Sequence, residues 1–464
     1  MIAELPIRTA SRIPSGLAVS ASGVASFLLG ASFFCWAHLG IARSPFPGSP
    51  ASHDVLFYAS EILAVAVAAL AAWRSRKLEW PRLVLLGGVV WLAACLVSSW
   101  SAIDPVLGLT WTAALLVAMC CLLAGVHRPG LTAGMALGVL GSLPIMLFQV
   151  IAQTTWPTAA IEGWPGGELT GAVRGAAVLG EQRWLRPYGF TLHPNIAGGL
   201  AAVACVLLTA AWFRERRVWQ LPLVAAAFAE TLLSFSRSAW IAALLGLAAL
   251  ALIRRANLRP LLLALALPTL LFVITLGGLA LQRTAASGTL EDDSVSQRIY
   301  LAQTALQVWR GHPLFGIGPA QFNQREVDLY GPSFIPEPVH NAILLVLAET
   351  GMVGLAGATL VVAGIARRIK LRRDWGALGV GLALLSPLML DHYLLTSPIG
   401  LVLLAGVLAQ DVSDSATRAV SGLGRRRSNA SVYQPHTDEA NDNSNKEPLT
   451  LAGHDAAAQE ADAL

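Results

Sequence analysis

The sequence predicts an all-α integral membrane protein of about twelve transmembrane helices, and its composition and hydropathy carry that prediction. Of 464 residues, 55% are hydrophobic and only 13% are charged. A soluble domain carries about 25% charged residues, so this charge content suits lipid rather than water. Mean hydropathy is +0.60. Apolar runs of the spanning length, roughly 17–25 residues, recur from one end to the other. Nucleic-acid-binding proteins, disulfide-stapled secreted domains and soluble dinucleotide enzymes are excluded. The cysteines (Cys35, Cys95, Cys120, Cys121, Cys205) lie inside apolar runs without metal-ligand spacing and read as small buried hydrophobes.

Residues 1–20 form a cytoplasmic N-terminus, and a membrane domain extends over 21–411. Its first five spans lie near 21–42, 54–73, 82–101, 105–126 and 131–153. The first is too long for a cleaved signal peptide and lacks a small-residue cleavage site. A loop over 154–189 follows, then spans near 192–213, 219–235, 238–253 and 260–281. A second loop, 282–338, precedes the last spans near 339–366, 375–393 and 396–411. The tail, 412–464, is rich in Ser, Asn, Asp and Ala and cannot bury enough apolar area to fold, so it reads as a disordered cytoplasmic extension.

Lys and Arg set the orientation. With both termini in the cytoplasm, clusters such as Arg74-Arg76-Lys77 and Arg367-Arg368-Lys370 fall inside. Nine of the 32 basic residues remain outside, against the rule: Arg43, Arg174, Arg183, Arg186, Arg237, Arg283, Arg298, Arg310 and Arg325. The inner excess is topology and needs no function. The outer arginines are the informative ones, and they point to chemistry on the face away from the cytoplasm.

The first outer loop runs through Arg183-Trp-Leu-Arg-Pro-Tyr-Gly-Phe-Thr-Leu-His-Pro-Asn195 into an apolar span with Gly198-Gly199, a pattern suggesting a re-entrant or broken helix. Trp156, Trp164, Trp184 and Tyr188 read either as an interfacial belt or as a sugar-stacking wall. The turn Ser234-Phe-Ser-Arg237-Ser places an arginine between two apolar spans, where it snorkels or meets an anion. In the second loop, Val295, Ile299, Ala302, Leu306 and Trp309 form one helical stripe that carries Arg298. Ser294-Val-Ser-Gln297 has capping-box form, so the helix should start there. Acids at a helix start account for Asp292-Asp293 better than a metal site does. His312-Pro-Leu-Phe-Gly-Ile-Gly318 then reverses the chain, and a proline-rich approach delivers His340-Asn341 to the next span. A histidine there is commonly just an interfacial polar residue. The positive end of the helix dipole would also keep it neutral and able to accept a proton.

At these residues the chain resembles the O-antigen ligase/O-antigen polymerase superfamily of bacterial integral-membrane glycosyltransferases. The matching pieces are Gly189-Phe-Thr-Leu-His-Pro-Asn195, Ser234-Phe-Ser-Arg237, Arg298 with His312–Gly318, and His340-Asn341 leading to Glu349-Thr-Gly351. The resemblance implies a GT-C-like membrane fold in the inner membrane, with short helices in the periplasmic loop between spans nine and ten. It implies a glycan donor on undecaprenyl diphosphate and inverting transfer without metal or other cofactor. By residue, it implies that Arg186, Arg237 and Arg298 bind the diphosphate and that His340 is catalytic. His312, Asn341 and Asn195 are possible supporting residues.

A ligase would use the lipid A core oligosaccharide as acceptor, and a polymerase a second lipid-linked repeat. One dominant outer loop between the ninth and tenth of twelve spans favours the ligase. The partners are these lipid-borne glycans and the membrane lipids, with no nucleic acid. A lipid-linked-sugar flippase or transporter is the alternative of another class. Glu61, Glu230 and Glu349 lie within spans and keep it open, but the internal repeat such a protein would show is missing. Asp391-His392-Tyr393 reads as an interfacial anchor, with a supporting or acceptor-side role as the alternative.

Overall fold

A computed structural model describes residues 15–36, 38–41, 55–73, 80–156, 176–179, 182–254, 257–285, 290–331 and 336–409. They fall in one compact unit, Met1–Asp414, and the expected disordered tail lies outside the described residues. The helices are α1 (Ser15–Ser32), α2 (Ala59–Trp73), α3 (Arg82–Trp100), α4 (Pro105–Ala124), α5 (Arg128–Ala152), α6 (Pro194–Glu215), α7 (Gln220–Leu233) and α8 (Arg237–Arg254). There follow α9 (Arg259–Ala285), α10 (Leu290–Gly311), α11 (Phe322–Tyr330), α12 (Ala342–Arg372), α13 (Trp375–Leu390), α14 (Tyr393–Thr396) and α15 (Pro398–Leu408).

An apolar helix stands at each apolar run read from the sequence. Among the described residues six of these (α3, α4, α5, α6, α9 and α12) are long and apolar enough to cross a bilayer. The described apolar parts of the others run 10–17 residues. The all-α expectation needs one amendment. Two small antiparallel hairpins are present, β1 (His38–Ile41) with β2 (Val55–Tyr58), and β3 (Ala176–Leu179) with β4 (Gln182–Leu185). Strands this short carry no periodicity that separates them from the ends of apolar helices.

Burial is graded across the bundle. In α6, 94% of the spanning window is buried, whereas in α9 only 17% is. The sequence of α6 explains its central place. A methyl group at Gly198 would collide with the Ser234 hydroxyl, and one at Gly199 with the Tyr393 hydroxyl. The paired glycines therefore let α6 close on the α7–α8 turn and on α14, as small residues do between membrane helices. In contrast, α9 carries Leu262, Leu263 and Ile274 exposed on its surface, as a lipid-facing helix would.

The second outer loop is locked into a break in α12. Gly351 has φ 65°, outside helical geometry, so the local helical hydrogen bonds are lost. The loop replaces them. Ile317 and Gly318 donate to the carbonyls of Ala348 (3.1 Å) and Glu349 (2.9 Å). Met352 and Val353 in turn donate to the carbonyls of Pro313 (2.9 Å) and Leu314 (3.1 Å). The buried Glu349 carboxylate accepts the Phe322 N–H, and Gln321 exchanges two bonds with the backbone of Asp104. Glu349 thus has a structural task that accounts for its place within a span.

The expected start of the loop helix shifts. Helix α10 begins at Leu290, ahead of the Ser294 capping-box start, and Glu291, Asp292 and Asp293 lie in its first turn. Acids in that turn favour an early start. The side chains of Asp292 and Asp293 lie outside the described residues.

Candidate active site

The chain from Arg186 to His193 is irregular backbone buried against the bundle rather than a broken helix. Part of its backbone is satisfied by one buried glutamine on α5. Gln149 Oε1 accepts from the N–H groups of Tyr188 (2.9 Å) and Gly189 (3.0 Å), and its amide donates to the Gly189 carbonyl. Gly189 (φ 59°) supplies the left-handed turn. His193 caps α6, its Nδ1 accepting from the Asn195 N–H at 3.1 Å, and Pro194 occupies the first helical position. Tyr188 belongs neither to a belt nor to a sugar wall, since it is buried among Met146, Leu185, Ala197 and Leu233. Trp156 is exposed and packs on Phe148, and Trp164 lies outside the described residues.

On the opposite wall the turn Ser234-Phe-Ser starts α8 at Arg237. Phe235 takes a left-handed φ of 50°, and the Ser236 hydroxyl accepts the Ala239 N–H. Helix α10 brings Arg298, and the irregular segment just before α12 brings His340.

These elements enclose a cavity of about 350 Å³ lined by Arg186, His193, Asn195, Arg237, Arg298 and His340, together with Ser236, Ser238, Ile241 and Leu390. The four residues first expected to act together therefore meet. Asn195 is also present and bridges one of them, Arg186, to a group not expected there. Arg186 Nε donates to the Ser234 carbonyl (3.2 Å), and its Nη2 donates to Asn195 Oδ1 (2.8 Å). Asn195 Nδ2 then donates to Asp391 Oδ2 at 2.8 Å.

Two of the supporting candidates stand apart. Asn341 is the N-cap of α12, its Oδ1 accepting from Ile343 and Leu344, so capping accounts for it. His312 is exposed and does not line the cavity.

Asp391 and His392 correct the interfacial-anchor expectation. They sit in the break between α13 and α14, next to the cavity, with Asp391 buried. The His340 and His392 rings meet edge-on at 5.0 Å. A ring nitrogen of each and an Asp391 oxygen lie within 4.8 Å of one another, a donor set able to hold a metal ion. The sequence signal for the pair was its polarity at the end of an apolar run. Nothing in the spacing tied it to His340, 51 residues earlier. His193 was visible only as part of a motif.

The electrostatics follow from burial and from these neighbours. Burial pushes the His340 imidazole down to about 4, and His392 and Arg298 push the same way against Asp391. His340 is therefore neutral near pH 7, with burial as the largest cause. Burial alone would raise the Asp391 carboxyl, but His392, His193 and His340 outweigh it and hold it below the usual range. The approach to His340 is itself held by a carboxylate. Glu326 Oε2, on α11, accepts the Glu337 N–H at 2.9 Å, and burial raises this acid to about 7.

Chemically the cavity offers guanidinium groups for an anion and a neutral imidazole for a proton. Guanidinium forks suit phosphate oxygens. No curated protein matches the chain. A family model described as O-Antigen ligase matches residues 222–359, a segment that includes Arg237, Arg298, the loop docked on α12, and His340. The chain thus carries, over residues 222–359, a domain of the O-antigen ligase superfamily.

Proposed function

We propose that the chain is an O-antigen ligase of the bacterial inner membrane, with its site on the periplasmic face. It moves a glycan from undecaprenyl diphosphate to the lipid A core oligosaccharide, with inversion and without a metal. One observation carries this reading. Arg186, Arg237, Arg298 and His340 line the same cavity.

The acceptor hydroxyl oxygen attacks the anomeric carbon from the face opposite the diphosphate and gives its proton to His340. The bond from the anomeric carbon to the diphosphate oxygen breaks, and its electron pair leaves on that oxygen. Arg186, Arg237 and Arg298 stabilise the charge that develops there, the electrostatic task that dominates such steps. The bound diphosphate is a dianionic neighbour for His340, so donor binding raises the proton affinity of a base that is very weak without it. Asn195 holds Arg186 in place and ties it to Asp391.

The test is transfer by purified protein supplied with lipid-linked donor and lipid A–core acceptor. Arg237→Ala and Arg298→Ala should each lose on the order of 10²–10³-fold in rate, and lysine at either position should recover only part, because it lacks the bidentate fork. His340→Ala should lose roughly 10²–10⁴-fold while still binding donor. Full activity of both arginine variants removes the diphosphate assignment. Extension of the donor glycan without added lipid A core would make the protein a polymerase instead.

A further inference from the structure

His340, Asp391 and His392 carry a second possibility. One ligand atom from each lies within 4.8 Å of the others. Zinc holds imidazole nitrogen and carboxylate oxygen at about 2.0–2.2 Å, so closing the trio on an ion needs shifts of about an ångström. The donors are also prepared. Thr396 Oγ1 donates to the His392 carbonyl (3.2 Å), which leaves its lone pairs to accept from His392 Nδ1–H at 2.9 Å. That fixes the tautomer and frees the Nε2 lone pair, which lies 4.0 Å from Asp391 Oδ1. Asp391 is oriented in turn by the Asn195 amide. Independently of the cluster, His340 Nδ1 is a buried ring nitrogen with no hydrogen-bond partner.

We propose that His340, Asp391 and His392 form a binding site for Zn²⁺ or a similar borderline divalent ion, and that filling it blocks glycan transfer. Two imidazoles with one carboxylate suit zinc and its neighbours, whereas Mg²⁺ and Ca²⁺ demand oxygen ligands. Solvent would complete the open side of the coordination sphere, as it does where a protein supplies three ligands. The three arginines around the cavity oppose a cation, so this site is weaker than a closed structural zinc site. The blocking half rests on His340 being the base proposed above, since an ion takes the lone pair that the acceptor proton needs. The binding half does not depend on it.

The experiment uses the full chain purified without a polyhistidine tag, titrated with Co²⁺ read by visible absorption and with Zn²⁺ by competition. One ion should bind per chain, His392→Ala or His392→Gln should weaken binding at least tenfold, and His312→Ala should leave it unchanged. Zn²⁺ should also protect His340 and His392 of the wild type from diethylpyrocarbonate, which keeps the test sound should the His392 variants fold poorly. Absence of saturable binding, or equal binding by the His392 variants, overturns the site. In transfer assays Zn²⁺ should inhibit with a midpoint matching its measured affinity, and EDTA should reverse it. Bound zinc that leaves the rate unchanged or raises it overturns the block. Transfer that survives His340→Ala would sink the catalytic reading and leave the binding result standing.

Discussion

At the scale of single residues, His340 makes the sharpest demand. Its free-enzyme value of about 4 means that imidazole stays neutral down through pH 5, where an ordinary histidine, near 6.5, is already protonated. Because protonation removes the base, activity falls as pH drops through the value in force. The donor diphosphate raises that value, so the two kinetic limbs should separate. The acid limb of kcat/KM, which reports the free enzyme, should lie near pH 4, and that of kcat at a higher pH. A kcat/KM limb near 6.5 would mean that His340 is solvated or is not the base. His340 and the three arginines stood out because each breaks a local rule, a cation on the outer side or a histidine at a span's start, and the family resemblance separated these arginines from the six other outer ones. Asp391 and His392 obey no such pattern. Their task comes from a contact between chain segments 51 residues apart, which only the fold brings together.

At the scale of elements, the site depends on how the second outer loop is anchored. The sequence showed His312–Gly318 as a chain reversal and Gly351 as the end of a motif. It did not show that one fills the break in the other. That relation is four backbone hydrogen bonds, and backbone bonds leave no side-chain signature. Gly351 is required twice over, by its positive φ and because a methyl group there would meet the Leu314 backbone. Gly351→Ala should therefore undock the loop at a cost of roughly 1–3 kcal/mol in local strain. Amide exchange should accelerate over 313–318 and leave α6 protected, and transfer should fall with Arg298 and His340 both displaced. Unchanged exchange in the loop would show that the break in α12 does not hold it. The two β hairpins were missed for a related reason, since their four-residue strands are too short to express a period.

At the scale of the whole molecule, hydropathy placed an apolar helix at every expected run, but only six have the described length to cross on their own. Helix α15 shows the difficulty. Its 11 residues rise about 1.5 Å each and cover little more than half of a hydrocarbon core of about 30 Å. The twelve-span reading requires that helices of this length cross with the help of flanking segments such as α14, whose backbone is buried against protein. It also fixes the sides. Arg325, on α11, must face the periplasm with the cavity, and Arg372, at the end of α12, must face the cytoplasm with the basic cluster that the positive-inside rule demands. The exposed native thiols Cys35 and Cys120 would first be replaced by serine. In that background, a membrane-impermeant maleimide applied to spheroplasts should label Arg325→Cys at once and Arg372→Cys only after lysis. Labelling of both before lysis would put the two ends of α12 on one side. It would then remove both the span count and the periplasmic placement of the site, because the alternation of basic loops is the common ground for the two.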